Sequence, residues 1–530
     1  MRADTGDART DAPSRSNSEI VEDARAAVLD QNRPEAVARQ HALGKLTARE
    51  RITVLSDPGT FREIGALVRP DRRLPDSRAD DAHADGVIVG TATIDGRTVG
   101  ILSFDFTVLG GSNGTVGGEK VDRQARLCLE HGYPLVMMLD GGGHRIQEGL
   151  DSRHFAHGFQ FFQLQSQLSG WVPTVALMMG PGFAGPSNFA AMADLVVMVA
   201  ETSTMGIAGP ALVKAGTGED ATKEELGGPA IQADRQGVAD IVAADDAAAL
   251  QITRDFLGYF PTNSSHEVPR GVPAEPSERH AVDLAAVVPP NPRRAYDVRT
   301  IINAIADAGS VLPLKPRFAR NVVTALARLD GRPVGIIANQ PNHMGGTLDS
   351  AACDKMAHLI SLSDAFGLPL IYFIDVPGFL VGPSAERTGL ARRSGKLLFE
   401  LGRATVPRFS VVLRKGYGLA YIAMNGGRSF EADLCVAWPT AEICAMSVEG
   451  AVDVAYAKKV AAATDPELAR KTMIEQFRTQ LGPVYAAEGF GIDDVIEPAD
   501  TRAVLIEALE RSPRRHRDLA PPRIHPVTPI

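Results

Sequence analysis

The sequence predicts an α/β fold made of two tandem copies of one unit, related by internal duplication. Three observations carry this prediction. First, Asp140 and Asp375 each follow an apolar strand and open a glycine-rich turn, and they stand 235 residues apart (375 − 140). Pro134 and Pro369 keep that offset, as do Asp95-Gly96-Arg97 and Asp330-Gly331-Arg332. A fixed offset at several points marks a repeated unit. Second, short Val/Ile-rich strands alternate with helical stretches, the pattern of a largely parallel sheet with crossover helices. Third, turns of small residues recur at the ends of corresponding strands.

The elements follow in order. Residues 1–18 are polar, charged and rich in Ser, Asp and Arg, and are expected to be disordered. A helix is expected over Glu19–Ala42. Thr47 is placed to cap a helix over Ala48–Leu55, which Asp57-Pro58-Gly59 ends. Strands are expected at Gly86–Ile94 and Arg97–Phe104, then a helix over Gly118–Gly132. The strand before Asp140 leads through a glycine loop to a helix over Ser152–Leu168. The strand Thr174–Met179 leads through another glycine loop to a helix over Ser187–Ala193. The second copy repeats this order from about 315 to 510. Pro261–Pro292 is dense in Pro, Ser, Asn and charge, as a surface crossing would be. We therefore expect a first domain over 19–275, a linker over 276–292 and a second domain over 293–530. The basic, Pro-rich stretch Arg511–Ile530 is expected to be an extended arm.

Composition narrows the function. At 44% apolar and 22% charged, the chain is typical of globular proteins. A net charge of −9 and the lack of a Lys/Arg run argue against nucleic acid as a partner. Cys128, Cys353, Cys435 and Cys444 form no Cys-x-x-Cys pair, which points away from zinc or redox chemistry and towards small core residues in a reducing compartment. The N-terminus has no apolar signal region, and the longest apolar run, Val172–Phe189, is broken by prolines, so no membrane span is expected. A cytoplasmic location follows as the expectation, with no metal.

Three loop pairs recur between the copies. Gly141-Gly142-Gly143-His144-Arg145 pairs with Val376-Pro377-Gly378. Gly182-Phe183-Ala184-Gly185 pairs with Gly416-Tyr417-Gly418-Leu419-Ala420. Ala193-Asp194-Leu195 pairs with Ala432-Asp433-Leu434. In the middle pair a strand ends and a helix begins. The first-turn N–H groups of such a helix lack helical partners, and the helix dipole adds to their pull on negative charge. A turn of this kind can hold a developing oxyanion. The competing account is that the glycines only let helix and strand pack closely. No Gly-x-Ser-x-Gly elbow, His-Glu-x-x-His or phosphate-loop lysine is present. Chemistry at these loops therefore rests on backbone donors.

The chain also resembles the carboxyltransferase (beta) subunits of biotin-dependent acyl-CoA carboxylases, of the propionyl-CoA carboxylase type, from about Glu35 to Ile530. The matching pieces begin with Gln40-His41-Ala42, Gly44–Arg51, Asp105–Val108, Gly118-Glu119-Lys120 and Arg145–Gly149. Thr217–Asp220, Glu225–Gly228 and Asn339-Gln340-Pro341 follow, then Asp375–Leu380, Ala437–Ile443 and Asp493–Ile496.

The resemblance implies two crotonase-like domains per chain. It also implies a site shared between the first domain of one protomer, which takes an acyl-CoA, and the second domain of another, which takes carboxybiotin. Two oxyanions then develop, one on the thioester and one on the biotin ureido oxygen, so two holes are needed. By position, Ala184 and Gly185 match the thioester hole, and Leu419 and Ala420 match the biotin hole. Substrate contacts are expected from Gly142, Gly143, His144, Arg145, Lys120, Asn339 and Gly378, with Ile422 at the acyl end. Arg145, Lys120 and Arg414-Lys415 are candidates for the CoA phosphates, or for ordinary salt bridges.

The resemblance further implies a biotin carboxylase/biotin carrier alpha subunit as partner and a homohexamer. The chain has no Met-Lys-Met biotinylation site of its own. It departs from the family pattern at His144, Pro186, Leu419 and Gln232. Pro186 has no N–H, and Leu419 adds bulk where the family has glycine. A decarboxylase working in the opposite direction and a catalytically weakened scaffold remain alternatives.

Overall fold

The computed structural model describes residues 15–70, 82–156, 158–275 and 283–516. Two mixed sheets form its frame. The first runs in the order β1 (Arg62–Ile64), β2 (Val87–Ile94), β3 (Arg97–Phe104), β4 (Leu135–Leu139), β5 (Thr174–Met178), β7 (Leu195–Val199), β9 (Ile241–Ala243). A separate parallel pair, β6 (Pro181–Phe183) and β8 (Thr204–Gly206), stands at the end of β5. The second sheet runs β10 (Leu312–Leu314), β11 (Val322–Leu329), β12 (Arg332–Asn339), β13 (Leu370–Val376), β14 (Arg408–Tyr417), β15 (Leu434–Ala437), β17 (Asp494–Val495). The strand β16 (Glu442–Cys444) lies against the end of β14.

The duplication is visible in the register. β2 and β11 are displaced by 235 residues (322 − 87), and so are the helices Thr115–His131 and Ser350–Phe366 (350 − 115). Gly100 pairs with Leu135 on β4, and Gly335 with Leu370 on β13. Before this block the offset is larger: helices Ala48–Leu55 and Val298–Ile305 differ by 250 (298 − 48). The first copy carries the extra length between β1 and β2. Each antiparallel hairpin closes on an Asp-Gly turn with both residues at positive φ, 50° and 75° at Asp95-Gly96 and 50° and 73° at Asp330-Gly331. This is the two-residue turn whose twist matches paired strands. From β3 onward each strand runs parallel to the next, and β4 is buried on both faces, which is why it reads as an unbroken apolar run.

Thr47 caps its helix as expected, with Glu50 completing the reciprocal pair. Several boundaries differ from expectation. Glu19–Ala42 is not one helix but two, Asn17–Ala27 and Pro34–Ala42, because Pro34 starts a new helix where it needs no N–H partner. The expected disorder over 1–18 ends earlier, since Ser16 caps the helix from Asn17; residues 1–14 lie outside the described residues. Ser152–Leu168 divides into Ser152–Phe155 and Phe161–Leu168, with Gly158 at φ 63° between them. Of the expected linker, 276–282 lies outside the described residues. Its later part is packed, with Leu284 and Val288 buried in the second copy's core. Within the expected arm, Arg515 bonds the Thr405 hydroxyl at 2.8 Å and His516 the Asp433 carboxylate at 2.8 Å. Residues 517–530 lie outside the described residues.

Each copy has a core cluster of its own, and a further cluster spans the two. A single cluster runs from Phe256 and Phe260 in the first copy to Leu362 and Phe366 in the second. The Phe260 and Phe366 rings meet edge-on at 5.3 Å. Lys315 crosses the seam to the Asp240 carboxylate at 2.9 Å and the Gly237 carbonyl at 2.6 Å. Among the described residues no helix is long and apolar enough to cross a membrane.

Candidate active site

Asp140, at the end of β4, is fully buried and accepts three side-chain bonds: Gln40 Nε2 at 3.0 Å, Lys45 Nζ at 2.8 Å and Arg51 at 2.8 Å. Arg51, also fully buried, reaches Asp246 through Nε at 2.8 Å. The motif from Gln40 to Arg51 is thus a buried ion cluster that ties the N-terminal helices to the strand end carrying the glycine loop. Burial pushes the Lys45 amine below its ordinary pKa, and Asp140 opposes that shift. Gly180 is obligatory beside it: a Cβ there would lie 1.9 Å from Asp140 Oδ1. Asp375, the counterpart, is held differently, by Arg414 at 2.9 Å and by the Lys415 N–H at 3.1 Å.

Donor accounting locates the open N–H groups. In the loop after β4, Gly141 donates to Pro181 O, Gly142 to Gly110 O and Arg145 to Asn113 O. At the start of helix Gly185–Ala191, Ala184 donates to Gly206 O at 2.8 Å. Gly143 N–H has no backbone acceptor among the described residues, and Gly185, the first residue of its helix, has no partner within it. The two segments touch: a Cβ on Gly143 would stand 3.3 Å from Pro186 Cδ and 3.4 Å from Phe183 O. Ala184 itself sits at φ 59°, ψ −117°, a conformation that costs a non-glycine residue about 1–3 kcal/mol and that clusters at functional turns.

In the second copy, Gly378 takes the place of Gly143, its carbonyl accepting from Leu348 as that of Gly143 accepts from Asn113. Gly418, at φ 61°, takes the place of Ala184 at the start of helix Gly418–Ala423. Gly378 N–H has no backbone acceptor among the described residues, and Leu419 and Ala420, in the first turn of their helix, have no partner within it. The backbone match therefore sets Gly185 against Leu419 and Pro186 against Ala420. Pro186 has no N–H, so the first turn lacks the donor that Ala420 supplies in the second.

Several expected contact residues are engaged elsewhere. The Ala184 N–H is not an open donor, because strand pairing with Gly206 uses it. Lys120 is buried, and its ammonium donates to Ala84 O at 3.0 Å and Val87 O at 2.6 Å; burial lowers its pKa to about 8. Lys355, 235 positions on (355 − 120), does the same with Phe318 O and Val322 O, at a pKa lowered by burial to about 7. Both ammonium groups of this matched pair are engaged by backbone carbonyls. Arg145 is buried between Asp85 at 2.6 Å and Glu148 at 2.5 Å, so it shapes the loop from within. Asn339 is fully buried, donating to Gly346 O and accepting from Asp375 N, and braces the second strand end.

His144 lies edge-on to Phe155 at 5.9 Å and Phe159 at 5.2 Å, a packing environment. Gly142 is exposed, with open space where a Cβ would stand. Ile422 is half-buried on the helix whose first turn offers the Leu419 and Ala420 donors, and the Leu419 side chain is 52% exposed. The sequence reading missed Asn113, Asp85 and Ser187, polar residues that set the loops. The only signal was a polar residue beside glycine at a turn, as in Asp85-Gly86 and Asn113-Gly114.

The family described as the carboxyl transferase domain matches residues 39–527. The chain belongs to that family. This carboxyltransferase is 40% identical over 498 residues to the propionyl-CoA carboxylase carboxyltransferase subunit of Haloferax mediterranei, covering 94% of this chain and 96% of that one. It is 36% identical to the methylmalonyl-CoA decarboxylase subunit alpha of Propionigenium modestum, over 93% of this chain and 95% of the other. Among solved structures it matches a transcarboxylase 12S hexamer with methylmalonyl-coenzyme A and methylmalonic acid bound, at a TM-score of 0.90 and 40% identity, over 98% of this chain and 99% of that one. The two crotonase-like copies expected from the sequence are the architecture of this carboxyltransferase.

Proposed function

We propose that the chain is the subunit that moves CO₂ from carboxybiotin, carried on a biotin carboxylase/biotin carrier partner, to the α-carbon of a short acyl-CoA. One observation supports the assignment of roles: two turns at equivalent positions carry first-turn N–H groups without helical partners, Gly185 in one and Leu419 with Ala420 in the other. Partner-borne biotin supplies the carboxyl group and the base. The chain's own part is electrostatic. The Gly185 turn binds the thioester oxygen and stabilises it as charge develops there; the Leu419–Ala420 turn does so for the ureido oxygen. Fixed N–H dipoles need no reorganisation as the charge appears. Ile422 lines the acyl end.

A site divided between unlike domains needs more than one protomer, and we propose a homohexamer, the assembly named for the transcarboxylase 12S structure. The likeness to the Propionigenium modestum decarboxylase subunit favours a second reading, the same chemistry in the opposite direction. The test is 14C-bicarbonate fixation with ATP, a biotinylated partner subunit and a panel of acetyl-, propionyl- and butyryl-CoA. Acid-stable label in an acyl-CoA product supports the carboxylating direction. Loss of CO₂ from methylmalonyl-CoA without net fixation supports the second. Neither activity with any partner overturns both.

A further inference from the structure

We infer that Ser187 is a positioning residue for the thioester hole: its hydroxyl fixes the turn that aims the Gly185 N–H. The inference rests on the assignment of Gly185 to that hole. Ser187 lies in the first turn of helix Gly185–Ala191, two residues beyond Gly185, and is only 4% exposed. Its Oγ donates to Gly182 O at 2.5 Å and accepts from Gly206 N at 2.6 Å. Ala184 N in turn donates to Gly206 O at 2.8 Å. Both polar backbone groups of Gly206 are therefore bound by the catalytic turn, one through the Ser187 side chain and one directly.

This closes a ring through Gly182, Ala184, Ser187 and Gly206 around Gly185. The ring also encloses the strained Ala184 at φ 59°, which persists only where its surroundings over-determine it. The second copy has no such hydroxyl. Tyr421, at the position matching Ser187, packs its ring near Gly416 and Gly426, where added Cβ atoms would lie 2.7 Å and 2.2 Å from it. That turn is tied instead by the Tyr417 hydroxyl donating to Glu442 at 2.7 Å.

The difference fits the donor count. With Pro186 in place of an N–H, the position next to Gly185 has no donor to compensate an error in its aim. The Ser187 hydrogen is engaged by Gly182 O, so the hydroxyl acts through the turn and not on the oxyanion itself.

The test uses the assembled full-length enzyme with its biotinylated partner. Ser187→Ala is expected to lower kcat for acyl-CoA carboxylation by about ten- to a hundredfold, the scale of a misplaced catalytic group. The KM for acyl-CoA should change less than threefold. Cleavage of carboxybiotin without acyl-CoA, a reaction of the other hole, should stay within twofold of wild type. Ser187→Thr, which keeps the hydroxyl, should restore kcat to within about threefold. The inference is overturned if kcat per folded site is unchanged, if both reactions fall together, or if threonine rescues nothing while the melting temperature matches wild type. Gly185→Pro separates this failure from that of the underlying assignment: a folded, fully active Gly185→Pro enzyme removes Gly185 from the hole whatever Ser187 does.

Discussion

Replacing Arg51 with methionine tests the buried cluster beneath the first glycine loop. Four charges meet there, two positive from Lys45 and Arg51 and two negative from Asp140 and Asp246, all in residues at most 4% exposed. The substitution keeps an apolar stem but leaves three charges, of which Lys45 still balances Asp140 at 2.7 Å. Asp246 retains the Leu46 N–H at 3.0 Å but loses its cation. One uncompensated buried carboxylate costs about 3–5 kcal/mol. Adding Asp246→Asn removes that charge and should recover at least about half of the loss. Urea unfolding can be followed through Trp171 in a Trp438→Phe background, since these are the chain's two tryptophans and Trp171 lies in the first copy. A double variant as unstable as the two single losses added together would refute the view of the cluster as one electrostatic unit.

Proline at Gly185 or Ala420 removes one N–H each and should lower carboxylation by about 10²–10³, measured on variants that assemble and melt like wild type; near wild-type rates in both would move the charge-binding role to other groups. Ile422→Asp should change the relative kcat/KM among acetyl-, propionyl- and butyryl-CoA, because an apolar contact discriminates by about 1–3 kcal/mol per methylene; unchanged ratios would make Ile422 a core residue only. Lys355, whose pKa burial lowers to about 7, releases its proton in the folded chain near that pH, whereas the unfolded chain keeps it to about 10.5. Between those values the unfolded state holds more protons, so stability rises with pH relative to Lys355→Met; parallel urea midpoints for both proteins from pH 7 to 9.5 would contradict it.

The repeat was legible because its marks are local. Asp-Gly hairpins and strand-ending aspartates keep an offset of 235 residues (330 − 95 and 375 − 140) whatever surrounds them. The helix breaks at Pro34 and Gly158 were visible as residues but were not read as boundaries. Charged motif residues misled in one consistent way. Lys120, Arg145 and Asn339 sit in matching motifs near the glycine loops, and sequence alone does not say whether a polar side chain faces a ligand or a carbonyl. The donor turns were found from small residues at a strand-to-helix junction. Their register was not, because Pro186 matches Ala420 only once Ala184 and Gly418 are seen to share a positive φ.

The seam at Phe260 and Phe366 bears on how such a chain can be taken apart. A gene cut between the copies would yield two polypeptides, each with half of a shared interior turned to water. Neither half is a portable module: Phe256, Phe260, Leu362 and Phe366 would become sticky surface on separation. The copies look like two beads by sequence, yet they are better treated as one casting when the protein is truncated, permuted or fused.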